Sequence, residues 1–158
     1  MPVKTIFLIE DNPDDRELMK LAFAEGEIPH RLITFSDGIE ALNYLQKQAD
    51  NQTAAVDSTN LSPVTMPALV MLDLNLPRIN GIEVLKRIRA DSRTKIIPVV
   101  IISSSNEPQD LIDSYINGCN SYIRKPIHFT QLQTFVREIS TYWLSVNQLP
   151  PVFGVTNE

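Results

Sequence analysis

The chain has 158 residues, 43% of them apolar and 21% charged, which suits one domain with a proper core and not two. Its net charge of −5 argues against nucleic acid as a direct partner, no apolar run approaches the ~20 residues of a membrane span, and the single cysteine, Cys119, excludes an internal disulfide. No signal-peptide pattern follows Met1, so the expectation is a soluble cytoplasmic protein without a membrane partner.

Lys4–Ile9 is a β-branched-rich run that reads as a buried strand and stops at Glu10-Asp11. Asn12-Pro13 then opens a helix as N-cap residue and first-turn proline, with Asp14 and Asp15 where the helix dipole favours acids. Leu18, Leu21, Ala22 and Phe23 give its inward stripe, and Gly26 and Pro29 close it. Leu32–Phe35 is a second strand, and Ile39, Leu42 and Leu45 mark a second helix. Gln46–Pro67 is polar and far longer than a usual helix-to-strand connection, which predicts an insertion loop over 46–67. Ala68–Leu72 is a third strand ending on Asp73, followed by a loop to Asn80. A third helix comes next, with Val84, Leu85 and Ile88 inward and Lys86, Arg87 and Arg89 outward.

Pro98–Ile102 forms a fourth strand ending on Ser103, and a helix near 108–117 stops at Gly118. Ser121–Arg124 is a fifth strand ending on Lys125. The capping box Thr130 with Gln133 precedes the last helix, whose inward face is Leu132, Phe135, Val136 and Ile139. Tyr142, Trp143 and Leu144 exceed what one buried face needs and point to an exposed interface, with a homodimer as the expectation. The tail through Leu149-Pro150-Pro151-Val152-Phe153 cannot continue a helix. Alternation of strand and helix predicts an α/β fold, a five-stranded doubly wound parallel sheet with right-handed crossovers.

In an open sheet of this kind, ligands bind outside the carboxyl ends of the strands. Glu10, Asp11, Asp73, Ser103 and Lys125 should therefore converge on one crevice. A carboxylate at a strand end can act as a nucleophile toward phosphorus, and Asp73 is the candidate. Three crowded carboxylates repel one another unless a cation joins them, and Mg²⁺ suits an all-oxygen set. Lys125 offers a positive point charge to a phosphoryl oxygen, and Ser103 a hydroxyl donor. Each residue taken alone has a plainer reading. Glu10 and Asp11 could simply cap a helix, Lys125 could lie on the surface, and Tyr122 could merely pack. Cys119 reads as a small core residue, and the isolated His30 and His128 do not suggest zinc.

Together, Glu10-Asp11-Asn12, Leu72-Asp73-Leu74-Asn75-Leu76-Pro77, the serine after strand four and Lys125-Pro126 resemble the receiver domain of bacterial response regulators. The resemblance covers roughly residues 4–140 and implies the flavodoxin-like strand order 2-1-3-4-5. It implies that Asp73 accepts a phosphoryl group from a sensor histidine kinase, that Asp11, Asp73 and the Asn75 backbone carbonyl hold Mg²⁺, and that Glu10 assists from behind or through water. Lys125 would pair with the phosphoryl group across a Lys125-Pro126 bond often cis in this family. Ser103 and Tyr122 would form the switch, with Tyr122 rotating inward on phosphorylation. The surface of helix four, strand five and helix five would then meet the partner.

On this reading residues 1–145 are the receiver and 146–158 a tail without an output domain, so a stand-alone regulator is expected that catalyses only its own phosphorylation and dephosphorylation. The insertion and the extended end are similar to the small regulators that serve cyanobacterial phytochromes, which implies a phytochrome-type kinase. A haloacid-dehalogenase-type phosphatase also uses an aspartate nucleophile, but it needs a second aspartate where this chain has Asn75. A flavodoxin needs a hydroxyl-rich phosphate loop where this chain has acids. The remaining alternative is a non-phosphorylated, receiver-like dimeric scaffold.

Overall fold

The structure is a computed structural model that describes residues 3–54, 66–126 and 128–151. Strand and helix alternate from β1 (Lys4–Ile9) and α1 (Pro13–Ala24) through β2 (His30–Phe35), α2 (Gly38–Ala54), β3 (Leu69–Leu72), α3 (Gly81–Ala90), β4 (Val99–Ser103), α4 (Pro108–Ile116) and β5 (Ser121–Arg124) to α5 (Phe129–Ser140). The strands form one five-stranded sheet in the order β2-β1-β3-β4-β5, and every pairing is parallel. This is the flavodoxin-like order expected from the sequence.

Alternation along the strands divides the core into two layers. Phe7, Ile9, Val70, Leu72, Val99 and Ile101 face α2 and α3, where Ala41, Leu45, Val84, Leu85 and Ile88 cover them. Ile6, Leu8, Leu69, Met71, Val100 and Ile102 face α1 and α5, against Met19, Ala22, Phe23, Leu132, Val136 and Ile139. Cys119 is buried as a small core residue. No helix among the described residues is long and apolar enough to cross a membrane.

Several local expectations need correction. The inward stripe of α1 is Met19, Ala22 and Phe23, while Leu18 and Leu21 are exposed. So many of its residues are apolar that periodicity admits both phases. α2 continues to Ala54, so the expected loop over 46–67 begins as helix. Buried Gln48 and Ala49 extend the stripe of Ala41 and Leu45. The rest of that segment through residue 65 lies outside the described residues, as does the tail from Val152 with Phe153.

The last helix starts at Phe129 behind His128, with no side-chain cap, so Thr130 and Gln133 form no capping box. The Gln133 amide instead reaches Glu25. Arg89 does not point into solvent. Its guanidinium donates to the carbonyls of Gly118, Lys95 and Ile97 and to Asn120 Oδ1, which ties the ends of α3 and α4 to the entrance of β4. Gly118 takes a φ of 96° beside the Arg89 side chain, a backbone that ends α4 as its sequence suggests. After α5 the chain widens into a π-helical segment, Thr141–Val146. It turns Leu144 into the core and Trp143 against it, leaving Tyr142 exposed. Lys4 Nζ fastens this segment by donating to the Leu144 carbonyl at 2.8 Å.

Candidate functional site

The strand ends meet because the backbone registers them. Glu10 N donates to Phe35 O, Asp73 N to Ile9 O and Lys125 N to Ser103 O, so the residues just beyond β1, β3 and β5 lie along one edge. Asn12 caps α1 by accepting from the amides of Asp14 and Asp15 at 2.9 and 3.1 Å. Arg16 Nη1 holds the intervening turn by donating to Glu10 O at 2.9 Å. Glu10 and Asp73 are buried, Asp11 is exposed, and one carboxylate oxygen from each lies within 4.8 Å of the others. Lys125 Nζ donates to Glu10 Oε1 at 2.5 Å, Asp73 Oδ2 at 2.9 Å and Asp15 Oδ2 at 3.0 Å. These groups open onto a cavity of about 100 Å³ lined also by Leu18 and Pro126.

The Asn75 amide donates to Asp73 Oδ1 at 3.1 Å, which orients the carboxylate. Ser103 is fully buried at the end of β4, and its Oγ accepts from Ser105 N. Ser105 Oγ in turn donates to Asp110 Oδ2. Tyr122 packs against the α2/α3 layer, and its hydroxyl is already buried, without a hydrogen-bond partner among the described residues. No described peptide bond is cis, so Lys125-Pro126 is trans here.

Two contributors escaped the sequence. Asp15 had a sufficient explanation as a first-turn acid, and only the tertiary contact shows it holding Lys125. Gly81 opens α3 directly against the loop that follows Asp73. A Cβ there would lie 2.3 Å from Asp73 O and 2.7 Å from Leu74 Cα. Its amide also donates to Leu74 O at 2.8 Å. Gly81→Ala must therefore displace the Asp73 backbone. The expected cost is about 1–3 kcal/mol of stability, read by denaturant unfolding, with phosphoryl uptake slowed about tenfold or more.

Burial, reinforced by the neighbouring Asp73, raises the Glu10 carboxyl from its ordinary 4.5 to about 9, outweighing the pull of Lys125. The bonds of Lys125 to Glu10, Asp73 and Asp15 overcome its own desolvation and hold its ammonium above the ordinary lysine value. Glu10 Oε2 is buried without a hydrogen-bond partner among the described residues. An unpartnered buried oxygen beside two further carboxylates fits a hard divalent cation. A carboxyl raised on folding binds a proton that the unfolded chain has released, so the metal-free protein should lose stability as pH rises from about 4.5 to about 9. A cation displaces that proton, so Mg²⁺ affinity should rise over the same interval. Melting curves and calorimetric titration across pH check both; affinity independent of pH would exclude Glu10 from the metal site.

Residues 6–137 match the family described as response regulator receiver domain, which is most of the chain. The chain belongs to that family. Among the receivers most similar to it is the response regulator Rcp1 of Synechocystis sp., 36% identical over 149 residues that cover 94% of this chain and 95% of Rcp1. The "Probable methanogenesis regulatory protein FilR2" of Methanothrix harundinacea is 36% identical over 92% of this chain and 86% of its own length. The phosphorylated cyanobacterial phytochrome response regulator RcpA superposes with a TM-score of 0.80 at 38% identity, covering 94% of this chain and 99% of RcpA. A solved form of Rcp1 with Mn²⁺ bound gives 0.77 at 35% identity, covering 93% and 99%. This receiver is thus a response regulator homologous to Rcp1 and RcpA.

Proposed function

We propose that Asp73 accepts a phosphoryl group from a sensor histidine kinase and that the phosphorylated chain presents an altered α4–β5–α5 surface to its partner. The observation that carries this reading is Lys125 Nζ seated on Asp73 Oδ2, beside the Glu10–Asp11–Asp73 cluster. An Asp73 oxygen attacks the phosphorus of a phosphohistidine as the bond from phosphorus to imidazole nitrogen breaks, and the electron pair leaves with the imidazole. Asn75 N orients the carboxylate, Lys125 neutralises charge on a phosphoryl oxygen, and Ser103 Oγ offers a further donor. Asp11, Asp73 and the Asn75 carbonyl would hold Mg²⁺, with Glu10 assisting from behind or through water, and the ion supplies charge neutralisation when bound. The chain catalyses its own phosphorylation and dephosphorylation and is otherwise a signalling protein.

A phytochrome-type kinase is the proposed donor, supported by the likeness to RcpA. The receiver is assigned to residues 1–145 and the tail to 146–158, in the cytoplasm. The test is phosphotransfer from an autophosphorylated histidine kinase: label passes to the wild type and not to Asp73→Asn. Label on both would refute the assignment.

A homodimer through α4, β5, α5 and the C-terminal extension is part of the proposal. Leu111, Ile112, Tyr115 and Ile116 on α4 are exposed, Ile116 to 75%, and Tyr142 adds an exposed ring beyond α5. Because Leu144 is buried and Trp143 packs on the core, neither is a clean probe. Ile112→Glu with Ile116→Glu should abolish self-association in sedimentation, and Tyr142→Ala should weaken it. Unchanged sedimentation would remove the interface.

A further inference from the structure

Lys125 has three ammonium N–H groups, and the structure gives each an acceptor: Glu10 Oε1, Asp73 Oδ2 and Asp15 Oδ2. Holding a phosphoryl oxygen while keeping its place requires that one of these bonds be released. The three acceptors differ in what release costs. The side chains of Glu10 and Asp73 are 3% and 7% exposed, so an acceptor oxygen left behind there would be cut off from water. The Asp15 side chain is 40% exposed on the first turn of α1, at the mouth of the same cavity, and water can solvate it at once. Its backbone stays fixed because Asp15 N remains bonded to Asn12 Oδ1.

We propose that Asp15 is a positioning residue, an exchangeable anchor that holds Lys125 over the site at rest and competes with the phosphoryl group for its ammonium. The inference rests on the receiver reading of Asp73 and adds to it a residue that tunes phosphoryl affinity from outside the metal cluster. Removing the Asp15 charge frees an N–H of Lys125 for the phosphoryl oxygens and withdraws a negative charge from the cavity mouth. Both effects favour an anion in the crevice, and the second disfavours a cation. A residue with a merely structural role would weaken both ligands together.

The experiment measures Mg²⁺ binding by the metal-free chain, and then beryllofluoride binding at saturating Mg²⁺, for wild type, Asp15→Asn, Asp15→Glu and Asp14→Asn. Asp14 makes the same charge change on the same turn, whereas Lys125 is bonded to Asp15. Asp15→Asn should bind beryllofluoride about threefold tighter and Mg²⁺ about threefold weaker, with Asp15→Glu and Asp14→Asn close to wild type. Equal shifts in Asp14→Asn would reduce the effect to general charge and overturn the proposal. So would unchanged affinities in Asp15→Asn, or losses of both ligands. Failure of the wild type itself to bind beryllofluoride with Mg²⁺ would overturn the receiver reading and this inference with it.

Discussion

Asp73→Asn should take up no phosphoryl group from any donor while melting no lower than the wild type in metal-free buffer. The amide keeps the shape of a side chain that is almost fully buried, and it removes one of the carboxylates crowded around Glu10. Lys125 keeps its bonds to Glu10 and Asp15 in the variant. Intact-mass measurement after phosphorylation and a melting curve, taken on the same preparation, separate the two roles. A large fall in melting temperature would make Asp73 a structural residue, and an adduct on the variant would move the chemistry elsewhere.

The second large effect is expected from Lys125→Ala. The ammonium is the cation that Glu10, Asp73 and Asp15 share, and its loss leaves buried carboxylates facing one another. Breaking a buried pair by removing one partner costs about 3–5 kcal/mol. Protonation of Glu10 relieves part of this at low pH. Lys125 pulls that carboxyl down against burial and Asp73, so in the variant Glu10 holds its proton beyond the wild type's value of about 9, and the deficit should widen only as pH passes above that value. Added Mg²⁺ should restore part of the lost stability, since it neutralises the same acids. Denaturant unfolding with and without Mg²⁺ at two pH values checks this. A deficit that neither pH nor Mg²⁺ moves would mean that Lys125 stabilises by packing alone.

The sheet and the site were legible in the sequence to different depths. The buried strands β1, β3 and β4 are short apolar runs and half-buried β5 a short mixed one, each bounded by a chemically distinct residue, so the strands and the groups beyond them could be placed from the sequence. Strand order needs pairing partners, which no local pattern contains; it came from the resemblance. The phase of α1 was misread because Leu18 and Leu21 satisfy helical spacing as well as Met19, Ala22 and Phe23 do, and packing against α5 chooses between them. The end of α2 was missed because Gln48 is polar and buried, and its composition gives no sign of that burial.

The remaining gaps are tertiary contacts. Arg89 and Asp15 each had an adequate local explanation and act through atoms far away in the chain, while Gly81 acts through the loop just before it. Arg89 bridges to carbonyls up to 29 residues away, and Asp15 meets Lys125 across 110. The closeness of Gly81 to Asp73 O depends on how the loop folds back before α3. Contacts of this kind leave no periodic trace.

The account stands most directly on one reaction. Wild-type protein incubated with acetyl phosphate and Mg²⁺, then taken to intact-mass analysis and site mapping, should carry one phosphoryl group on Asp73, and none when Mg²⁺ is chelated. A phosphoryl group mapped to another residue, or no adduct together with no beryllofluoride binding in the presence of Mg²⁺, would contradict it.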